Sequence, residues 1–412
     1  MSSTLTAAAP WRRDAGLVAL IGGAHSISHF SQLLLAPLFP WLKDAFGVGF
    51  AELGFLLTIF FVVSCVVQAV SGFWVDRFGP RPVLLGGLTL IGFAALGYSM
   101  STSYAMLAGF SVVAGIGNGV FHPVDYTLIN RKVAKERLGH AYSVHGVTGS
   151  LGWALAPMIL VPITVAFSWR TALAVAAGIV FAVLAVLVLF RRQLELAPLP
   201  PAPRTDAGGA AAEGTFDFLR IPAVWMCFGF FFFFAGALSV IQSFAPAAAG
   251  RLHDVPPALA AMCLTVYMVC SAAGMIGGGF LASNHERSER IVGIGFGVAA
   301  FIALVIGYAS LPALAVPVLF GAMGFVTGTA GPSRDLIVKR AAPDNATGRV
   351  FGVVYSGLDI GQAVIPLLVG HMMDLHQYSS VWLVLAILQA VLIVNAFSVR
   401  RVRRTVAVPA AA

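Results

Sequence analysis

Apolar runs of roughly 20 residues recur along nearly the whole chain, and each is long enough to cross a ~30 Å hydrocarbon core as a helix. They fall at about 15–40, 51–74, 83–101, 104–129, 140–166, 171–190, 222–248, 258–282, 291–309, 312–335, 348–370 and 379–398. Between them the chain has little left with which to build a water-soluble surface. Only 10% of the 412 residues are charged, against about 25% in soluble domains. The expectation is an all-α membrane protein of twelve transmembrane helices.

The cations orient these spans. Twelve is even, so both termini lie on one side, and 21 of the 25 Lys and Arg fall on that side. Lys43, Arg170 and Arg251 fall on the other, and Arg334 falls inside a span. The positive-inside rule then places both termini in the cytoplasm of a bacterial inner membrane. The net charge of +8 is thereby topology, and no nucleic-acid partner is implied. The start, "MSSTLTAAAPWRRDAG", is short, polar and basic, without the pattern of a cleaved signal. Cys65, Cys227, Cys263 and Cys270 are scattered through apolar runs with no CxxC spacing, so they read as small buried hydrophobes.

The chain divides in two. Residues 191–221 are rich in Pro, Ala, Gly and charge and read as a cytoplasmic linker. Six spans precede it (1–190), and six follow it (222–412) with a short basic tail. The halves repeat. At a constant offset of 209, Gly115, Gly119, Pro123, Arg131, Gly139, Gly152 and Pro157 meet Gly324, Gly328, Pro332, Arg340, Gly348, Gly361 and Pro366. At 207, Thr58, Ser64 and Gly72 meet Thr265, Ser271 and Gly279. Such six-helix repeats are a plan of secondary transporters, with the substrate held between the halves.

After the second span stands "GFWVDRFGPRPVLLGG", with the skeleton G-x-x-x-D-R-x-G-x-R on Gly72, Asp76, Arg77, Gly79 and Arg81. Gly72 permits close helix approach, Gly79 a tight turn, and the charges can tie helix ends together. In this loop and in its 6+6 layout the chain resembles the major facilitator superfamily. The resemblance implies a pseudo-symmetric twelve-helix fold in which spans one, four, seven and ten line a central cavity. It also implies a cytoplasmic latch at this loop, with Arg131 at the end of span four. The second half has Ser283 where Asp76 would repeat, so only the first half is expected to carry the full latch.

Two further stretches, "AHSISHFSQLLLAPLFPWLKDAFGVGFAELG" in span one and "VFHP" in span four, resemble the fosmidomycin-resistance branch of that superfamily, proton-driven drug exporters. The chain differs from that branch at His29, Val124 and Thr127.

Ionisable groups inside a bilayer are expensive and usually face a cavity or a partner. His122 lies nine residues before Arg131, about 13 Å deep at 1.5 Å per residue. His25 is ~15 Å into span one, at a matching depth, and His29 follows one turn later on the same face. With a reference pKa near 6.5, histidine binds a proton around neutrality with little tuning. The candidate substrate or proton site comprises His25, His29, His122, Asp125, Tyr126, His145, Gln242, Tyr267, Arg334 and Asp359. By the repeat Asp125 corresponds to Arg334, so a salt bridge across the halves is expected to close the cytoplasmic end. Asp335 and Arg340 join the latch residues there.

The function expected is proton-coupled export of small amphiphilic or anionic compounds by a monomer. The alternative is import or exchange of a small organic anion such as a carboxylate. An intramembrane enzyme is disfavoured, since neither HExxH nor a carboxylate at zincin spacing accompanies the histidines. Metal-ion transport ranks above the enzyme but below both transporter readings, a non-transporting receptor ranks with the enzyme, and no cofactor or resident metal is expected.

Overall fold

In a computed structural model the described backbone covers residues 11–134, 137–196, 222–281, 288–341 and 347–406. Side chains are described over these ranges except at 334–355, 398–406 and a few single positions. Arg334, Asp335 and Arg340 therefore lie outside the described side chains, as does most of the expected linker, from 197 to 221.

The described residues are helical, without a strand. In chain order the first half contains α1 (Trp11–Gln32), α2 (Phe39–Phe46), α3 (Phe50–Phe78), α4 (Pro80–Met100), α5 (Tyr104–Asn118), α6 (Phe121–Lys132), α7 (Leu138–Ala166) and α8 (Trp169–Leu189). The second contains α9 (Pro222–Ser243), α10 (Ala245–Leu252), α11 (Pro257–Leu281), α12 (Ser288–Tyr308), α13 (Ala315–Ala341), α14 (Thr347–Asp374) and α15 (Tyr378–Val406). Among the described residues, eleven segments are long and apolar enough to cross a membrane. The remaining predicted span, 348–370, is occupied by the 28-residue α14, whose side chains are described from 356 onward.

The repeat is visible in the packing. In the first half α1 packs on α7, α4 on α8 and α3 on α5; in the second α9 packs on α14, α12 on α15 and α11 on α13. Membrane helices gain little from burying apolar surface against one another, so small residues that admit a neighbouring backbone carry much of the association. The glycines do so in register. A Cβ on Gly115 would stand 2.6 Å from the Phe60 carbonyl oxygen, and one on Gly324 would stand 2.2 Å from that of Tyr267. Gly119 and Gly328 face the carbonyls of Ser64 and Ser271 in the same way. These pairs obey the offsets of 209 and 207 that the sequence shows.

Two seams join the halves, α3 against α14 and α7 against α11. The seams close unequally. At the end of the bundle away from the latch loop, one apolar core runs through both halves, including Leu38, Leu42, Leu53, Leu57, Phe244 and Val369. At the latch end the cores found among the described residues are separate. One contains Leu17, Val75, Leu128 and Leu194, and the other contains Phe230, Phe296 and Leu392. The closed end is pinned by Asp374, whose carboxylate accepts from Phe50 N at 2.7 Å and Ala51 N at 2.8 Å. It thus caps α3 from the opposite half.

Span four, which the sequence reads as one helix, has a gap in its hydrogen bonding. Pro123 has no N–H, so the carbonyl of Gly119, four residues back, loses its intrahelical partner. Ser71 Oγ donates to that carbonyl instead, at 3.2 Å. α5 ends before Gly119–Val120 and α6 restarts at Phe121. The backbone at Gly119 and Val120 stays right-handed helical, so Tyr104–Lys132 remains one span, with His122 and Asp125 just beyond the gap in its hydrogen bonding.

Candidate functional site

Four histidines and one aspartate from α1, α6 and α7 converge into a nest. His25 is 2% exposed, Asp125 0% and His145 5%. Asp125 Oδ2 lies 3.1 Å from His145 Nε2 and 3.2 Å from His25 Nδ1. The His25 and His145 rings stack with centroids 3.6 Å apart. His29 lies 4.3 Å from His25, and His122 lies 5.5 Å from it. Tyr126 closes one side, 6.0 Å from His122 and 5.4 Å from His145. The depth argument from sequence is thus met: His25 and His122 are neighbours, and His145 of span five joins them.

The nest exists because α7 comes unusually close to α1. A Cβ at Gly152 would meet the Ser26 carbonyl oxygen at 2.2 Å, and one at Gly149 would meet His29 Nδ1 at 2.9 Å and His25 Nε2 at 3.0 Å. Only residues without a side chain leave that room. Trp153 then roofs the nest, its ring 4.2 Å from that of His29. Its Nε1 donates to Gln32 Oε1 at 2.9 Å. Below it, Ser28 donates to Asn118 Oδ1 at 2.7 Å, and Asn118 donates to Ser64 Oγ at 2.9 Å. Span one, span two and the end of α5 are so held by side-chain hydrogen bonds at the depth of the histidines.

One polar thread leaves the nest for the other half. His122 Nδ1 lies 2.8 Å from Gln68 Oε1, and Gln68 Nε2 donates to Asp359 Oδ2 at 3.3 Å. Gln68 is on α3 and Asp359 on α14, so this thread crosses a seam between the halves. Sequence reading singled out Asp359 but not Gln68. The available signal was a glutamine in the middle of "VVSCVVQAV". Gly149 and Trp153 were missed too, although glycines at 146, 149 and 152 repeat at i+3.

Other expected site residues lie elsewhere. Tyr267 Oη and Thr327 Oγ1 are 2.9 Å apart and join α11 to α13. Gln242 is buried in α9, with its Nε2 unpartnered among the described residues. The partners that the structure gives Asp125 are His25 and His145 of its own half, while the expected partner Arg334 falls outside the described side chains. The sequence reading found no carboxylate at zincin spacing, and that stands. The fold nevertheless brings Asp125 against two of the histidines.

At the latch, Gly79 has φ +82, a conformation that favours glycine, while Asp76 and Arg77 are exposed. Arg81 pairs with Glu195. Lys132 Nζ donates to the carbonyls of Gln193 at 2.6 Å and Glu195 at 2.8 Å. Arg81 and Lys132 therefore hold the segment 193–195 against the rest of the first half.

Compared with known proteins, residues 21–321 and 239–412 match the model of the Major Facilitator Superfamily. The chain belongs to that superfamily. It is 26% identical over 385 residues to the fosmidomycin resistance protein of Escherichia coli (strain K12), covering 87% of this chain and 88% of that one. It is also 26% identical over 164 residues to a multidrug resistance protein B homolog of Mycobacterium tuberculosis, covering 39% of this chain and 30% of that one. Among solved structures, a bacterial homologue of the human lysosomal transporter Spinster, inward-facing and occupied, superposes with a TM-score of 0.75 at 13% identity. That match covers 94% of this chain and 97% of the other. The nucleoside transporter NupG gives 0.71 at 13%, covering 93% and 99%. At such identity these two establish the fold alone. The all-helical, multi-pass membrane architecture read from sequence holds, with eleven candidate spans among the described residues close to the twelve expected.

Proposed function

We propose that this transporter expels small amphiphilic or anionic compounds in exchange for protons, with both termini in the cytoplasm of a bacterial inner membrane. The observation that carries the reading is the thread His122–Gln68–Asp359, which links the polar nest of one half to a buried acid of the other. In this reading the nest binds substrate and Asp359 carries the proton. Gln68 reports the state of one to the other, because its amide presents an acceptor to His122 and a donor to Asp359. A proton arriving on Asp359 removes the charge to which Gln68 donates, and the amide is then free to turn. With this orientation the closed end faces the periplasm and the separated cores face the cytoplasm, a conformation ready to load substrate from inside. The resemblance to the fosmidomycin resistance protein supports export.

The test expresses the wild type and His122→Ala at matched membrane levels in a bacterium lacking its main efflux pumps. Growth is scored on fosmidomycin and a panel of unrelated toxins. Resistance conferred by the wild type and lost in the variant is the expected result. Resistance kept by the variant removes the nest from the mechanism. No resistance to any compound overturns the export reading in favour of uptake of small organic anions.

A further inference from the structure

The nest has a property that substrate binding does not require. Its donor atoms crowd together but only partly pair: His145 Nε2 and Asp125 Oδ2 share a hydrogen bond at 3.1 Å, and other buried donor atoms beside them have no partner among the described residues. His25 Nδ1 is 3.2 Å from Asp125 Oδ2, yet lies off any hydrogen-bonding axis and has no hydrogen-bond partner among the described residues. The second carboxylate oxygen, Asp125 Oδ1, is buried and unpartnered as well. A structural polar cluster at this depth normally satisfies such atoms. Ligands held at 2.0–2.2 Å around a tetrahedral ion stand about 3.3–3.6 Å from one another. The two contacts that Asp125 Oδ2 makes, 3.2 Å to His25 and 3.1 Å to His145, are close to that spacing. All three donor atoms lie within 4.8 Å of each other. A second group, His25, His29 and His122, meets the same limit and shares His25 with the first.

We propose that His25, Asp125 and His145 bind one divalent first-row transition-metal ion of the zinc class, with the fourth position facing His29 and His122. Two neutral imidazoles and a carboxylate suit Zn²⁺, Co²⁺ or Ni²⁺. Mg²⁺ and Ca²⁺ prefer shells of oxygen. The three ligands come from α1, α6 and α7, all in one half, so the ion fastens these helices together without bridging the halves. Sequence spacing hides the site because its ligands are 20 and 100 residues apart, on three helices. The proposal concerns ion binding and stands apart from the direction and driving force of transport.

The test uses the full chain, purified with a tag free of histidine and reconstituted in lipid nanodiscs. Titration with Co²⁺ is expected to saturate at one ion per chain, with the intense visible absorption of four-coordinate cobalt, and Zn²⁺ is expected to displace it. Asp125→Asn and His145→Gln each should weaken binding by at least ~100-fold, the upper end of what losing an outer-shell partner costs. His371→Gln, at an exposed position, should leave binding unchanged. X-ray absorption of the zinc-loaded wild type requires no variant. Two imidazoles in a first shell at about 2.0 Å are expected. Absence of saturable binding, a first shell of water oxygens, or affinity that follows His371 and ignores Asp125 and His145 overturns the proposal. If a variant fails to fold, the wild-type absorption decides.

Discussion

Replacing Asp374 with alanine should unlock the closed end of the bundle. Its carboxylate accepts two backbone N–H groups at 2.7 and 2.8 Å across the α3–α14 seam. Lys43 Nζ stands 3.8 Å away, and the Asp374 side chain is 26% exposed. A hydrogen bond to a charged group contributes about 1.5–3 kcal/mol when well shielded. Water reaching the exposed quarter of the side chain lowers this to about 1–1.5 kcal/mol per bond, and the exposed Lys43 pair adds little. The two bonds therefore favour closure by about 2–3 kcal/mol, roughly 30- to 140-fold in population at 1.4 kcal/mol per tenfold. Spin labels at Thr102→Cys and Ser310→Cys lie on exposed loops of opposite halves at this end. Pulsed electron–electron resonance between them should show a single short distance in the wild type. Asp374→Ala should add a longer population, and Asp374→Asn, which retains one acceptor oxygen, a smaller one. An unchanged distance in Asp374→Ala would refute the reasoning. It would assign closure to the apolar seam around Gly54 and Pro366 and to the bond from Thr58 Oγ1 to the Ala363 carbonyl at 2.5 Å.

Three more outcomes are expected. Gly152→Val should push α7 off α1 and destabilise the protein by about 1–3 kcal/mol, as overpacking does, read as a lower melting temperature in detergent and loss of resistance. Gln68→Leu should keep substrate binding but slow exchange by about tenfold, within the usual range of coupling energies, measured as substrate flux in proteoliposomes under a pH gradient. Asp359→Asn preserves an acceptor for Gln68 but cannot carry a proton. It should abolish substrate-driven proton movement while leaving substrate counterflow, and proton movement at the wild-type rate would remove Asp359 from the proposed path.

How much of this was legible in the sequence divides along one physical line. Depth was legible, because span ends are marked by charges and the rise per residue is fixed. Counting from Arg131 and from the start of span one put His122 and His25 side by side, and their rings are 5.5 Å apart. Rotation about the helix axis was not legible. Helices apolar all round show no preferred face, so nothing in "VVSCVVQAV" said that Gln68 points at His122. The gap in span four was hidden for a related reason. A proline in a membrane helix is tolerated wherever a neighbour satisfies the freed carbonyl, and that neighbour, Ser71, is 48 residues from Gly119.

The repeat preserves scaffold and discards chemistry. Gly115, Gly119 and Gly152 have glycine counterparts at the offset of 209, and each member of these pairs admits a neighbouring backbone. His122 and His145 fall instead on Gly331 and Val354 at the same offset. The titratable nest therefore belongs to one half, and on the proposed mechanism substrate bound there would travel with that half when the two rock. Coupling to the other half then depends on contacts that cross a seam at the depth of the nest. Among the described residues the side-chain hydrogen bond from the nest into the second half is the one through Gln68 to Asp359. Asp359 lies fifteen residues along α14 from Asp374, about 22 Å at 1.5 Å per residue. On the proposed mechanism, the motion that parts Asp374 from α3 thus has its lever at one end and the Gln68–Asp359 bond far down the same pair of helices, where a change in protonation would bias it without touching the closed end.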